Sequence, residues 1–394
     1  MKMNYNTYTL ANGLRIIHLP SAQPVVYCGY AVGAGTRDEE LGREEGMAHF
    51  CEHITFKGTE RRSSMQILGH LESVGGDLNA FTNKEETVYH AAVLKENIDR
   101  AVDLLTDIVF HSTYPQAEID KEVEVIVDEI ESYNDSPAEL VYDLFENAVF
   151  GGHPLGHNIL GTAEKLRRYT TADALRFTRR YYRPENSVFF AYGDVDFQKL
   201  VRLLERANAA DAAAESVAAV SLPPQQSAIS DNSCCGGGKD TAAALLPPYV
   251  AQHIEHHMDT HLAHVILGTR AYDVHDERRI ALYLLNNILG GPGMTARLNV
   301  SLRERNALVY TVESMAQSYS DTGLWAVYFG CDPKNVKRCL RLIRRELDKV
   351  MPRPLRDAQL RSAQRQLRGQ NGHACAPPRS FAPQLLNGHL PSSW

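Results

Sequence analysis

The sequence predicts an α+β chain of two domains, each a sheet with its helices gathered on one side. Three observations predict it. Short alternating apolar runs crowd residues 6–94, whereas residues 96–182 carry helical periodicity bounded by Pro115, Pro137 and Pro154. The order strand, strand, helix, strand, strand, helix returns after residue 249. Between the two, residues 207–248 shift to Ala, Ser, Pro, Gly and Gln, with Cys-Cys-Gly-Gly-Gly at 234–238, which reads as a linker. The expected units are residues 1–206, a linker over 207–248, and a second unit over 249–394.

Residues 6–20 read as a hairpin, with Asn12-Gly13 as the turn between two alternating runs. A strand follows at about 25–33, then a helix carrying His49 and His53, a helix over 65–74, and strands over 78–82 and 86–94. Ser187 to Tyr192 reads as the strand that closes the first sheet. Beyond the linker, strands are expected near 249–257 and 262–270, then helices at about 276–289 and 294–305. Strands at 308–317 and 322–330 and a helix at 333–350 follow. Residues 371–394 hold Pro377, Pro378, Pro383 and Pro391 without helical period, so the second unit is expected to be cut short at its end.

The 394 residues are 44% apolar and 23% charged, ordinary for a soluble protein. The net charge of −7 argues against nucleic acid as a partner. No run approaches the ~18 apolar residues of a membrane span. The N-terminus enters strand-like alternation without an apolar leader, so a cytoplasmic location is expected. The seven cysteines lack metal or disulfide spacing and are expected to be reduced thiols, Cys51 packing in the core.

His49-Phe50-Cys51-Glu52-His53 carries the chemistry. It reads H-x-x-E-H, the reverse order of the H-E-x-x-H zinc-hydrolase motif. On a helix, histidines at i and i+4 share a face and can grip one metal ion, with Glu52 on the same turn beside a metal-bound water. Downstream, apolar residues at 119, 123, 126, 127, 130 and 133 have helical period, and Glu122 and Glu129, seven residues apart, fall on nearly one face. Taken alone, that helix reads as a solvated acidic one. The histidines at 253, 256, 257, 261 and 264 lack a completing carboxylate or cysteine, and His153 and His157 read as loop residues.

Gly46 to Thr59, around the histidines, and Gly75-Gly-Asp-Leu-Asn-Ala-Phe-Thr82 together resemble the insulinase/pitrilysin metallopeptidases, the inverted zincins. The likeness continues through Pro154 to Thr162, Leu282 to Asn299 and Leu302 to Tyr310. It is nearest to the half-length bacterial members, which are related to the processing peptidases of mitochondria. The resemblance implies two homologous α+β sandwich domains forming one half of a clamshell chamber. It implies one zinc ion per chain on His49, His53 and Glu129, with Glu52 as general base and Glu122 orienting an imidazole. Glu129 lies 76 residues after His53 (129 − 53), as that family's third ligand does. It implies that Asn79, Ala80 and Phe81 line an extended peptide, and that Arg303 and Tyr310 reach substrate from the second domain. The implied activity is hydrolysis of peptide bonds in short or unfolded polypeptides, by a homodimer or by a heterodimer with a related subunit. An inert peptide-binding or assembly subunit of the same family is the alternative; such subunits usually lack a ligand or the base, all of which are present here.

Overall fold

The structure, a computed structural model, describes residues 5–220, 246–352 and 354–374. The expected hairpin opens the first sheet: β1 (Asn6–Thr9) pairs antiparallel with β2 (Arg15–Pro20), and Gly13 takes φ 88° in the turn. There follow β3 (Val25–Val32), α1 (Met47–Thr55), α2 (Ser64–Glu72), β4 (Asp77–Thr82) and β5 (Thr87–Leu94). A run of helices comes next: α3 (Ile98–Phe110), α4 (Gln116–Asn134), α5 (Pro137–Phe150), the short α6 (Ala163–Leu166) and α7 (Thr171–Tyr181). The prolines that bounded them in the sequence stand where a missing N–H costs nothing, Pro115 as the N-cap of α4 and Pro137 at the start of α5. The chain then returns as β6 (Ser187–Gly193), followed by α8 (Phe197–Val220).

The strand order is β1-β2-β6-β3-β5-β4. β6 lies parallel to β2 and antiparallel to β3, so the middle of the sheet is completed only after the whole helical run. β4 is left at the edge. One face is covered by α1, α3, α7 and α8 over a core that includes Tyr30, Phe50, Ile54, Tyr89, Leu104, Phe177 and Phe189. Fully burying each such side chain contributes about 1.5–3 kcal/mol. The other face carries a smaller cluster of Ile17, Ala31, Val88, Val188 and Phe190, with Phe81 packed against it.

The second sheet is β7 (Ala263–Ala271), β8 (Val309–Ser318) and β9 (Gly323–Cys331), in the antiparallel order β7-β9-β8. That order repeats β3-β5-β4 of the first sheet. α9 (Arg278–Gly290) and α10 (Val336–Val350) pack on one face through Leu289, Cys339 and Ile343. α5 crosses the other face, burying Val149 and Phe150 with Leu324 and Tyr319. Arg270 of β7 donates to the Val149 carbonyl at 2.9 Å, and the Tyr142 hydroxyl donates to Glu313 at 2.7 Å.

Four sequence expectations need correction. No strand forms at 249–257, because β7, the strand that follows it, pairs only with β9. The helix expected at 294–305 reduces to a short segment with a π-helical turn at Asn299–Glu304, since Gly291-Pro292-Gly293 breaks its approach. α8 continues through residues 207–220, where the alanines read as linker are strong helix formers; the rest of that stretch, 221–245, lies outside the described residues. A further helix, α11 (Asp357–Ala374), overlaps the start of the stretch read as aperiodic, and residues 375–394 lie outside the described residues.

α1 is nine residues long, too short to persist alone, and depends on its ends and its packing. Its N-cap, Gly46, sits at φ 83°, where a Cβ would meet the Gly161 Cα at 2.7 Å. Gly46→Ala is therefore expected to destabilise the protein by roughly 1–3 kcal/mol, read as a lowered midpoint in denaturant unfolding.

Candidate metal centre

α1 offers two faces with opposite tasks. Met47, Phe50, Cys51 and Ile54 form an apolar stripe that is wholly buried, as expected for Cys51. His49, Glu52 and His53 lie on the side turned toward α4 and the end of β4. The N-terminus of α1 is held by the buried Glu39, whose carboxylate accepts from Gly46 N at 3.0 Å and Ala48 N at 2.9 Å. Burial pushes the Glu39 carboxyl up, against those two donors.

α4 runs past α1 and buries Ile119, Val123, Ile126, Val127 and Ile130. Glu122 and Glu129, two turns apart and separated by about 10 Å along the axis, take His53 from opposite sides. Glu122 Oε1 lies 3.1 Å from His53 Nδ1, and Glu129 Oε2 lies 3.4 Å from His53 Nε2 and 3.8 Å from His49 Nε2. Among the described residues, His49, His53 and Glu129 are the one group of three such side chains whose ligand atoms lie within 4.8 Å of one another.

The donors fit zinc. Zinc–ligand bonds of ~2.0–2.1 Å at tetrahedral angles set ligand atoms roughly 3.3–3.4 Å apart, close to the His53–Glu129 separation. Two imidazoles and one carboxylate leave one tetrahedral position open. Burial, then the neighbouring His53, lowers the His49 imidazole well below its usual value, so it is neutral, as a ligand must be. Burial would lower His53 too, but the hydrogen bonds to Glu122 and Glu129 and the Glu52 charge outweigh it and raise it. Its Nδ1 is thereby committed to Glu122, which leaves Nε2 facing Glu129. His49 Nδ1 is buried without a hydrogen-bond partner, so that ring is held by packing, edge-on to His53 at 4.6 Å, and by Glu129 facing its Nε2.

Two residues escaped the sequence reading. Lys57 Nζ pairs with Glu122 Oε2 at 2.6 Å and helps hold that carboxyl low against the effect of its burial. Thr82, the last residue of β4, donates its hydroxyl to Glu52 Oε2 at 2.5 Å. Both lie within the two stretches that carry the resemblance, but only the tertiary contact gives them a task. Burial raises the Glu52 carboxyl, opposed by the Thr82 bond. A carboxyl raised toward neutral pH is suited to exchanging protons.

The remaining expected residues divide by position. Ala80 packs toward the helix-covered core, as Thr82 does, whereas Phe81 packs into the cluster on the other face. Asn79 Oδ1 accepts from Ala80 N at 2.9 Å. All three stand on the edge strand, whose outer backbone groups have no neighbouring strand. Arg303 pairs loosely with Glu304 at 3.9 Å, and Tyr310 is 82% exposed, so the three-ligand cluster is formed without either. His153 caps a short turn and His264 meets the Tyr328 hydroxyl at 2.8 Å.

Two helical histidines, a carboxylate from a second helix and an adjacent glutamate, in an α+β chain, form a donor set of the inverted zincin type that could hold a metal ion. The chain belongs to the insulinase family, peptidase family M16, in its half-length form. The family's model, insulinase (peptidase family M16), matches residues 16–163, and the peptidase M16 inactive domain matches residues 168–367. All three candidate ligands and Glu52 fall within the first match and outside the second. A Streptomyces coelicolor protein named an uncharacterized zinc protease is 36% identical over 363 residues, 92% of this chain and 75% of that protein. A Bacillus subtilis protein of the same description is 32% identical over 364 residues, 92% of this chain and 82% of that protein. The crystal structure of a Helicobacter pylori protease superposes with a TM-score of 0.81 at 21% identity, covering 98% of this chain and 89% of that one. A peptidase M16 inactive domain from Pseudomonas fluorescens superposes with a TM-score of 0.78 at 19% identity, covering 97% and 86%.

His53→Ala and Glu129→Gln are each expected to abolish stoichiometric zinc in metal analysis of the purified protein. Glu122→Gln, which keeps a hydrogen bond to His53 but loses its charge, should weaken zinc by about 10–100-fold in competition with a chelator. A greater loss for Glu122→Gln than for Glu129→Gln would reverse their assigned roles, and equal losses would refute the distinction between them.

Proposed function

We propose that this chain is a zinc-dependent endopeptidase that hydrolyses peptide bonds in short or unfolded polypeptides. The observation that carries the reading is the convergence of His49, His53 and Glu129 beside a buried Glu52 fixed by Thr82. No helix among the described residues is long and apolar enough to cross a membrane.

His49, His53 and Glu129 would hold the ion. Zinc there supplies Lewis acidity, polarising a carbonyl oxygen and lowering the pKa of water. Glu52 accepts the proton of the attacking water and returns it to the leaving nitrogen. Because Thr82 occupies Oε2, Oε1 is the oxygen assigned to that exchange. Glu122 and Lys57 keep the His53 ring from turning. The scissile segment lies extended against β4 and adds a strand to its open edge through backbone hydrogen bonds near Asn79 and Ala80. Arg303 and Tyr310, exposed and weakly partnered, donate to substrate carbonyls. Two copies of the chain would enclose the substrate as a homodimer, a state that sedimentation in solution would test against a monomer.

Glu52→Gln is expected to lower cleavage of a peptide library, followed by mass spectrometry, by about 10²–10⁴-fold while zinc stays stoichiometric. Retained cleavage would refute the assignment of the base. Chelation of the wild-type protein should stop cleavage, and added zinc should restore it. Arg303→Ala should keep the metal and lower kcat/KM by the equivalent of about 2–4 kcal/mol.

A further inference from the structure

Apart from its contacts with α5, the second sheet meets the first unit at a polar cluster that lies next to the residue that holds Glu52. β4 ends at Thr82 and β5 begins at Thr87. The turn between them, residues 83–86, is closed by Asn83 N to Glu86 O at 2.8 Å. Three elements grip it. Arg37 N donates to the Lys84 carbonyl at 2.8 Å, with the backbone so close that a Cβ on Gly35 would lie 2.4 Å from the Asn83 oxygen. Lys84, buried, reaches Glu146 of α5 at 2.9 Å and the His157 carbonyl. Glu85 accepts from Ser320 N at 3.1 Å, from Ser320 Oγ at 2.7 Å and from Arg37 at 2.7 Å. Arg37 in turn donates to Ser320 Oγ at 2.9 Å and to Asp321 at 2.8 Å. Ser320 and Asp321 form the turn between β8 and β9, in the second sheet.

We propose that this clasp is a positioning device: the second unit, through Ser320 and Asp321, fixes the 83–86 turn and so keeps Thr82 aimed at Glu52. The inference rests on the reading of Glu52 as the general base. Adhesion of the two units does not require the clasp, because α5 already buries Val149 and Phe150 against Leu324 and Tyr319. Arg37 and Glu85 are partly exposed, and exposed ion pairs add little stability. Their consequence is geometric. Thr82 stands three residues from Glu85 along a closed turn, and its hydroxyl holds Glu52 Oε2 at 2.5 Å. A small displacement of a proton-transfer group is enough to slow catalysis severely. Arg37, Glu85 and Asp321 are thus positioning residues, acting through Thr82.

The test compares Thr82→Val, Glu85→Ala, Asp321→Ala and the double variant Thr82→Val/Glu85→Ala in the full-length, zinc-loaded protein. Each single variant should lower kcat by about 10–100-fold, with KM nearly unchanged and zinc stoichiometric. The double variant should be no slower than the slower single, since both changes release the same group. Glu85→Gln, whose amide oxygen still accepts from Ser320, should recover most of the rate. Independently of activity, Glu85→Ala and Asp321→Ala should raise hydrogen exchange in peptides covering residues 78–86. Full kcat in Glu85→Ala, multiplicative losses in the double variant, or unchanged exchange over 78–86 would overturn the proposal. Retained activity in Glu52→Gln would instead refute the base assignment, and the exchange measurement would still judge the clasp.

Discussion

The site depends on the crossing of α1 by α4, and the crossing is fixed at His53. One imidazole is held at Nδ1 by Glu122 and faced at Nε2 by Glu129, from positions two turns apart on one helix. Neither helix could offer this alone. α1 is short and needs the Glu39 carboxylate at its N-terminus and an apolar stripe beneath it. α4 carries more acids than the site uses, and only those facing α1 acquire a role. Glu124, two residues after Glu122 and so on the opposite side of α4, pairs outward with Arg167 instead.

Around that crossing, polarity is graded. On the core side of α1 the hydroxyls of Tyr89 and Tyr182 meet at 3.0 Å, and the Thr55 hydroxyl returns to the Cys51 carbonyl. These groups are buried and satisfied, so they stiffen the helix without competing for a metal. On the outer side the carboxylate of Glu129 is nearly half exposed, open to solvent and to a substrate. Glu52 lies between the two regimes, buried enough to be raised yet held by a single hydroxyl.

The second sheet repeats the β3-β5-β4 order of the first as β7-β9-β8, but carries none of the three-ligand cluster. It lies outside the three-ligand cluster: it rests on α5, the helix directly after α4, and meets the turn after β4. The candidate ligand cluster is therefore bracketed by elements that the second unit touches on both sides.

Spacing alone determined much. The i, i+4 histidines, the intervening Glu52 and the apolar stripe through Cys51 follow from helical period, and so does the shared face of Glu122 and Glu129. The Asn12-Gly13 hairpin and the proline-bounded helices are likewise local, because turn and cap residues act within a few positions. The resemblance, rather than the residue pattern, linked the two helices into one ligand set; the acidic helix by itself looked like any solvated one. What only the tertiary structure decided involves partners distant in sequence. Thr82 and Lys57 gain their tasks from Glu52 and Glu122, 30 and 65 residues away. Residues 249–257 have strand-like alternation but no neighbour to pair with, and residues 207–220 continue a helix that their small side chains had disguised as linker. A helical face can be read from one segment, whereas a strand, a hydrogen-bond partner and a metal site exist only when a second segment arrives.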